Sequence, residues 1–170
     1  IVILAEADIL RAAELRRRHG IDGLQPQEAM YFRDKVLMKS RVAQTGIPVA
    51  AHRVVTTAME LVEAIDEVGY PCVVKPPHGR GSSGVEILAD PEALIKYLRK
   101  GPFSDRGDTS RVIVEAFISG DQYRVDGICK DGEVQFCAVA LYIGSHLDYL
   151  AGGYLGSIIL PQDDPKSVEI

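Results

Sequence analysis

The sequence predicts an α+β fold, with a small lobe of helices and mostly antiparallel strands followed by the start of a second lobe with its own antiparallel sheet. Short apolar runs of strand length alternate with helical patterns up to Ile118, in the order β-α-β-loop-β-α-β. After Gly120 two strand-like runs flank Asp131-Gly132, which is a strong hairpin signal. This change of pattern predicts a hinge between the two lobes near Ser119 and Gly120.

Composition excludes several classes of function. The chain has 170 residues, 46% of them hydrophobic, and its formal net charge of −5 argues against a nucleic-acid or membrane-surface binder. No apolar run reaches the roughly 18 residues that span a membrane. The histidines have no partners at metal-ligand spacing, so a zinc site is not expected. Cys72, Cys129 and Cys137 lie in strand-like runs, which indicates buried free thiols in a reducing, cytoplasmic compartment.

The N-terminal segment is expected to be strand-like over residues 1–4 and helical over residues 7–19, with Gly20 as the stop. A second helix is predicted from about Gln27 to Gln44, because Gly46 and the proline that follows are typical of residues just beyond the C-terminal end of a helix.

The first lobe follows from the same signals. Thr57 opens a capping box and a helix that closes at Gly69, and Asp90 caps a helix that runs through Leu98. The strands are expected at residues 48–55, 70–75, 85–89 and 111–118.

The second lobe is predicted to begin with strands at residues 122–129 and 134–142. The final residues, 160–170, have the pattern of a turn leading into a helix that is cut off, because Asp164 is a cap and Pro165 a helix start. We therefore expect the chain to be a piece of a longer polypeptide, with the C-terminal part of the fold missing.

Lys75 closes a buried strand and is followed by a loop of small and hydroxyl residues that ends at Gly84. The loop matches the glycine spacing of a dinucleotide fingerprint, but a strand rather than a helix follows it, so that interpretation fails. A P-loop also fails, because Val85 and Glu86 stand where it needs Lys and Ser or Thr. The remaining alternatives are a solvated hairpin and a backbone nest for phosphate, which the nearby lysine favours.

A second stretch, Val114 to Ile118, suits an adenine base. Adenine is flat and apolar, with a donor amine and an acceptor nitrogen along one edge, and a strand leaving a sheet offers a matching C=O and N–H. The carboxylate of Glu115 could accept the second amine hydrogen. The alternative is a core strand with Glu115 at its solvent edge. Together, the loop and the strand make ATP the leading ligand.

The pieces and their order resemble the ATP-grasp superfamily, and more narrowly the carboxylate–amine ligases akin to the carbamoyl-phosphate synthase large chain. The resemblance spans roughly Asp34 to Gly127. Its motifs are Asp34-Lys35 with Met38, Gly46-Ile47-Pro48, Gly69-Tyr70-Pro71, Val73-Val74-Lys75-Pro76, the loop to Gly84-Val85, Val114-Glu115, Phe117-Ile118 with Gly120, and Tyr123 with Val125-Asp126-Gly127.

The resemblance implies roles for these positions. Lys35 and Lys75 would contact the nucleotide phosphates, and the loop would fold over the terminal phosphates. Glu115 and the strand end would hold adenine, and Gln122, where the family often has Glu, would meet the ribose. The implied nucleotide site comprises Lys35, Lys75, Arg80, Gly81, Ser82, Ser83, Gly84, Glu115, Ala116, Phe117, Ile118 and Gln122.

It also implies an organisation and an activity. Residues 1–33 would end a preceding domain, residues 34–118 would form the ATP-grasp helix and small lobe, and residues 119–170 would begin the second lobe. The full-length protein would join a small-molecule carboxylate to an amine through an acylphosphate, with Mg²⁺ ligands beyond the end of this chain. The fragment alone is expected to be inactive. Biotin-carboxylase-like carboxylation, a non-catalytic nucleotide-binding or assembly module, and a homodimer remain open alternatives.

Overall fold

The computed structural model describes residues 1–79, 81–104 and 111–170, which form two units, Ile1–Ile118 and Ser119–Ile170. The division falls where the sequence pattern changes. In the described residues, none of the helices has both the length and the apolar character needed to cross a membrane.

The N-terminal segment is helical. A short 3₁₀ turn at Glu6–Asp8 leads into helix α1 (Ile9–His19), which ends at Gly20 in a left-handed conformation, as predicted. Residues 1–4 form no strand, so that expectation is wrong. Neither of the two sheets in the described part of the chain includes them.

The predicted long helix is two helices, α2 (Pro26–Met30) and α3 (Lys35–Gln44). Asp34 causes the break, because its buried carboxylate accepts hydrogen bonds from the backbone N–H groups of Val36 and Leu37, at 2.8 and 3.2 Å. An aspartate that bonds to the first free N–H groups favours a helix start over a helix interior. The apolar periodicity continues through the turn, which is why the sequence did not reveal it.

The first sheet contains β1 (His52–Val55), β2 (Cys72–Lys75), β3 (Glu86–Leu88) and β4 (Val112–Ala116). Its order is β1-β4-β2-β3, and all its neighbouring strands are antiparallel, as predicted. The strands are shorter than the sequence indicates, and β1 begins only at His52.

Helices α4 (Ala58–Val68) and α5 (Pro91–Arg99) cover one face of this sheet. The caps Thr57 and Asp90 accept N–H bonds as expected, although the carboxylate of Glu60 bonds to the N–H of Thr56 rather than completing a box with Thr57. The core joins both helices to alternate strand residues: Val55, Leu61, Ala64, Ile65, Cys72, Val74, Leu88, Tyr97, Val112 and Val114. Residues between these positions on the strands face the other side of the sheet.

The second unit is built on an antiparallel sheet of β5 (Tyr123–Lys130), β6 (Glu133–Ile143) and β7 (Gly156–Ile159), in the order β5-β6-β7. Asp131 and Gly132 both have positive φ, which confirms the predicted hairpin turn. Helix α6 (His146–Leu150) lies between β6 and β7 in the chain. The terminal helix, expected to be cut off, is present as α7 (Pro165–Glu169), with Asp164 as its cap.

The cysteines are free, and only one of them is buried as predicted. Cys72 lies in the core of the first sheet, where burial raises the pKa of its thiol. Cys129 and Cys137 are exposed. The strand-like sequence around them predicts the strands correctly, but it does not determine which strand residues are covered.

Candidate functional site

The side chain of Glu115 lies on the sheet face opposite the helical core. Glu115 is paired with His52 of β1 and with Val73 of β2 in the antiparallel register. Directly paired residues share a face, and the neighbours Val114 and Ala116 therefore point to the other one. Glu115 is only 9% exposed, so its carboxylate needs compensating charge.

Two lysines from different elements supply that charge. Lys75, at the end of β2, lies opposite Ile113 and is therefore a diagonal neighbour of Glu115 on the same face. Its ammonium forms an ion pair with Oε1 of the carboxylate. Lys39 of α3 places its Nζ 2.9 Å from Oε2.

This pairing controls the ionisation of Glu115. Burial by itself raises the pKa of the carboxyl, but the contacts with Lys75 and Lys39 outweigh burial and hold the pKa below its ordinary value. The group is therefore a carboxylate at neutral pH.

Lys35 brings another cation to the start of the loop. It opens α3, and its ammonium donates a hydrogen bond to the backbone carbonyl of Gly79, while its backbone N–H donates to the carbonyl of Pro77 at 3.1 Å. Burial, together with repulsion from Lys75 and Arg33, lowers its pKa against the opposing attraction of Glu6 and Asp34. Lys35 and Lys75 therefore repel each other.

Arg33 and Asp34 contact the segment that leads into the loop, residues 77–79, which we call the loop stem. Arg33 donates from Nη2 to the carbonyl of His78 at 3.0 Å, and the Oδ2 of Asp34 lies 3.7 Å from Nε2 of His78. Because Lys35 bonds to the same segment, the start of α3 and residues 77–79 form one connected structure.

The loop has the backbone conformation that its glycines predict. Gly81, Ser82 and Gly84 have φ of 54°, 59° and 72°, in the left-handed region that glycine adopts easily. A Cβ on Gly84 would lie 3.1 Å from Cδ of Pro76. Ser83 is exposed within this turn, and the predicted Arg80 lies outside the described residues.

At the end of β4 the backbone N–H groups of successive residues point to opposite sides of the strand. The N–H of Ala116 donates to Ala51 at 2.9 Å, and that of Phe117 donates to Pro71 on the other side at 3.3 Å. Backbone groups alternate sides along a strand, so the C=O of Ala116 and the N–H of Ile118 share one edge. Within the first unit the N–H of Ile118 donates to no backbone carbonyl of a described residue.

The predicted site residues belong to both units. Lys75 and Glu115 are in contact, and Lys35 reaches the loop stem. Gln122 belongs to the second unit, where its carbonyl accepts a hydrogen bond from the N–H of Tyr142 at 2.9 Å. Its ribose contact stays a prediction.

Sequence reasoning missed Lys39 and the pair Arg33–His78. Lys39 lies one turn after Lys35 on α3, so the spacing alone could have placed both ammonium groups on one helix face. Charges at that spacing are equally typical of a solvated face, and only the contact with Glu115 distinguishes the two interpretations.

The arrangement can bind an anion and a planar base. Three lysines and a loop rich in left-handed residues accompany a buried carboxylate and the backbone groups at the end of β4. No group of three or more His, Cys, Asp or Glu suited to a metal ion is found in residues 1–79, 81–104 and 111–170. The expected Mg²⁺ ligands beyond the chain stay a prediction.

Comparison with known proteins agrees with this geometry. Residues 34–126, more than half of the chain, match the family model described as the carbamoyl-phosphate synthase L chain, ATP binding domain. The chain belongs to this ATP-grasp family. The match covers α3, the first sheet and the beginning of β5, so it includes every predicted site residue.

One relative is similar over the whole length of this chain. The chain is 31% identical over 172 residues to an L-arginine-specific L-amino acid ligase of Bacillus subtilis, and the similarity covers 100% of this chain and 41% of that protein. The chain therefore spans about two fifths of this relative's length.

Solved structures share the fold. The L-amino acid ligase of Bacillus licheniformis matches with a TM-score of 0.69 and 22% identity, over 85% of this chain and 32% of that one. The D-alanine–D-alanine ligase of Bacillus anthracis complexed with ATP matches with a TM-score of 0.65 and 22% identity, over 91% and 49%.

Proposed function

We propose that the chain binds the adenosine triphosphate of an ATP-dependent ligase. The observation that carries the proposal is the convergence of Lys75 and Lys39 on the buried carboxylate of Glu115, beside Lys35 and the glycine loop. Partly buried cations next to a left-handed loop provide both the charge and the backbone donors that a polyphosphate needs.

The adenine would lie against the strand end. Its amine would donate to the C=O of Ala116 and to Glu115, and its ring nitrogen would accept from the N–H of Ile118. Phe117 and Ile118 are exposed here and could contribute apolar contact to the base. Gln122 and Arg80 complete the proposed set, with the ribose and the phosphates as their respective partners.

The phosphates would bind Lys35, Lys75 and residues 81–84. In this structure Lys75 is paired with Glu115. Binding therefore requires its ammonium to turn at least partly from a carboxylate to a phosphate. The cost of leaving one ion pair is offset by forming another, so this exchange lowers the net gain without preventing binding.

In the full-length protein we propose carboxylate–amine ligation through an acylphosphate. The substrate carboxylate would attack the terminal phosphorus of ATP and displace ADP, and an amine would then displace phosphate from the acyl group. Mg²⁺, held by residues outside this chain, would neutralise the charge on the phosphates. The similarity to an amino acid ligase across the whole chain favours this over carboxylation of a bicarbonate-derived acceptor. The proposed substrates are small molecules, and the proposed compartment is the cytoplasm.

Calorimetric titration of Mg-ATP into the full-length protein tests nucleotide binding, with Lys75→Met as the site variant and Lys96→Met on the exposed side of α5 as the control. Binding that Lys75→Met weakens and Lys96→Met leaves unchanged supports the site. No binding by the wild type, or equal binding by both variants, contradicts it.

Turnover distinguishes the candidate activities. Release of ADP and phosphate that depends on added amino acids supports the ligase, and release that depends on bicarbonate supports the carboxylase. Nucleotide binding with no release under either condition supports the non-catalytic module.

A further inference from the structure

We infer that Lys39 is a positioning residue for base recognition, which holds the Glu115 carboxylate toward the purine when Lys75 turns to the phosphates. This inference rests on the proposed nucleotide site. It assigns Lys39 no contact with ATP and separates its task from those of Lys35 and Lys75.

The two oxygens of Glu115 have different cations. Oε1 pairs with Lys75 on β2, and Oε2 lies 2.9 Å from the ammonium of Lys39 on α3. Both lysine side chains are 17% exposed and that of Glu115 is 12% exposed, so water screens these contacts poorly. A single cation could balance the carboxylate, and the second one therefore needs an explanation.

The contact with Lys39 leaves a lone pair of Oε2 for a second donor. The ammonium of Lys39 lies 2.9 Å from Oε2, and together with Lys75 it lowers the pKa of the carboxyl. Each carboxylate oxygen has two lone pairs, so Oε2 can accept from Lys39 and from a second donor such as the 6-amino group of adenine.

Charge balance gives Lys39 its role during binding. Lys75 ends β2 directly before the loop and is paired with Glu115, so a phosphate held by the loop would compete with the carboxylate for its ammonium. If Lys75 moves, Glu115 keeps Lys39 as its cation. Without Lys39, a buried carboxylate would be left without a partner beside an anionic ligand, which is strongly unfavourable.

The other neighbours of Glu115 cannot replace Lys39. On β1 the paired residue is His52, whose Nδ1 is 3.0 Å from the carbonyl of Ala50. On β2 the paired residue is Val73, which carries no charge. Of the charged groups that face the carboxylate from α3 and β2, only Lys39 is free of the proposed phosphate contact.

The ionised state of Glu115 decides which purine fits. A carboxylate accepts a hydrogen bond from a 6-amino group and repels the oxygen of a 6-oxo group. A neutral carboxyl can instead donate to that oxygen. Removing a neighbouring cation favours the neutral form of a buried acid, so loss of Lys39 should weaken the preference for ATP over inosine triphosphate, which carries the 6-oxo group.

The experiment titrates ATP and inosine triphosphate, each with Mg²⁺, into the full-length protein and three variants. Lys39→Met removes the charge and keeps an unbranched side chain that is one atom shorter, Lys39→Arg keeps the charge, and Lys96→Met is the exposed control. We expect Lys39→Met to raise the Kd for ATP by about tenfold or more and that for inosine triphosphate by less. Lys39→Arg and Lys96→Met should keep the wild-type ratio of the two constants.

The ratio of the Kd for inosine triphosphate to the Kd for ATP distinguishes a positioning role of Lys39 from a general structural role. If Lys39→Met weakens both nucleotides equally or neither, or if the wild type does not distinguish them, the inference is overturned. Should Lys39→Met not fold, Lys39→Gln is judged by the same ratio. Failure of the proposed function gives a different result, because the wild type would then not bind ATP or Lys75→Met would bind it normally.

Discussion

The ammonium of Lys75 and the carboxylate of Glu115 form an ion pair between β2 and β4, although the two residues are 40 positions apart in the chain. The pair occupies the sheet face opposite the helical core. Lys75, for which strand position predicts a phosphate contact, therefore also has a structural partner in the first sheet.

Replacing Lys75 should affect both binding and stability. Loss of one partner of a buried charge pair costs about 2–5 kcal/mol, so Lys75→Met should weaken ATP roughly 30-fold or more. The structure also predicts a loss of stability, which the position of Lys75 at the end of a strand does not. In Lys75→Met the carboxylate of Glu115 loses one of its cations whether or not nucleotide is present. Urea unfolding should therefore show a lower free energy of unfolding for Lys75→Met than for Lys96→Met, and equal values for both would contradict this.

The ionisation of Glu115 should make stability depend on pH. Because its pKa is lowered in the folded protein, its contribution is present above the ordinary value of 4.5 and is lost as pH falls from there through the folded pKa. Glu115→Gln removes this titration. Unfolding free energies measured at neutral pH and below pH 4.5 should show a larger decrease for the wild type than for Glu115→Gln, and parallel pH profiles would count against the proposed pairing.

Two loop glycines provide a matched test of the phosphate loop. Alanine at Gly81 or Gly84 would be strained by about 1–2 kcal/mol, since both residues have positive φ. Only at Gly84 does the added Cβ also crowd Pro76, whereas at Gly81 it meets open space. We expect Gly84→Ala to weaken ATP binding more than Gly81→Ala in calorimetric titration. The reverse order would indicate that Pro76 does not help to shape the loop.

Asp34 and Asp90 separate capping from site geometry. Each accepts an N–H bond at the start of a helix, at 2.8 Å in both cases, so replacement by alanine should lower the free energy of unfolding by about 1 kcal/mol. Asp34 also lies beside His78 in the loop stem. Asp34→Ala should therefore reduce ATP affinity, while Asp90→Ala should not. Equal ATP affinities of the two variants, measured at a temperature where both are folded, would show that Asp34 does not influence the nucleotide site.

The sequence was informative where one residue breaks a pattern. Lys75 ends an apolar run, and Asp131-Gly132 interrupts two strands, so both were interpretable without knowledge of tertiary contacts. The turn at Asp34 was not, because the helical periodicity continues through it. The proposed role of Lys39 could not be predicted either, because it depends on a contact with Glu115 that forms only when the sheet and α3 are folded together. The exposure of Cys129 and Cys137 likewise depends on what covers a strand, which local sequence does not encode.

The amino end of α3 has no main-chain donor left for a ligand. The N–H of Lys35 bonds to Pro77, those of Val36 and Leu37 bond to Asp34 Oδ1, and that of Met38 bonds to the carbonyl of Asp34. Many phosphate sites use such an end through its free N–H groups and its dipole. Here a phosphate near α3 would meet ammonium groups instead. Mobile ions screen the field of such charges in solution, so the affinity of this helix for anions should depend on ionic strength.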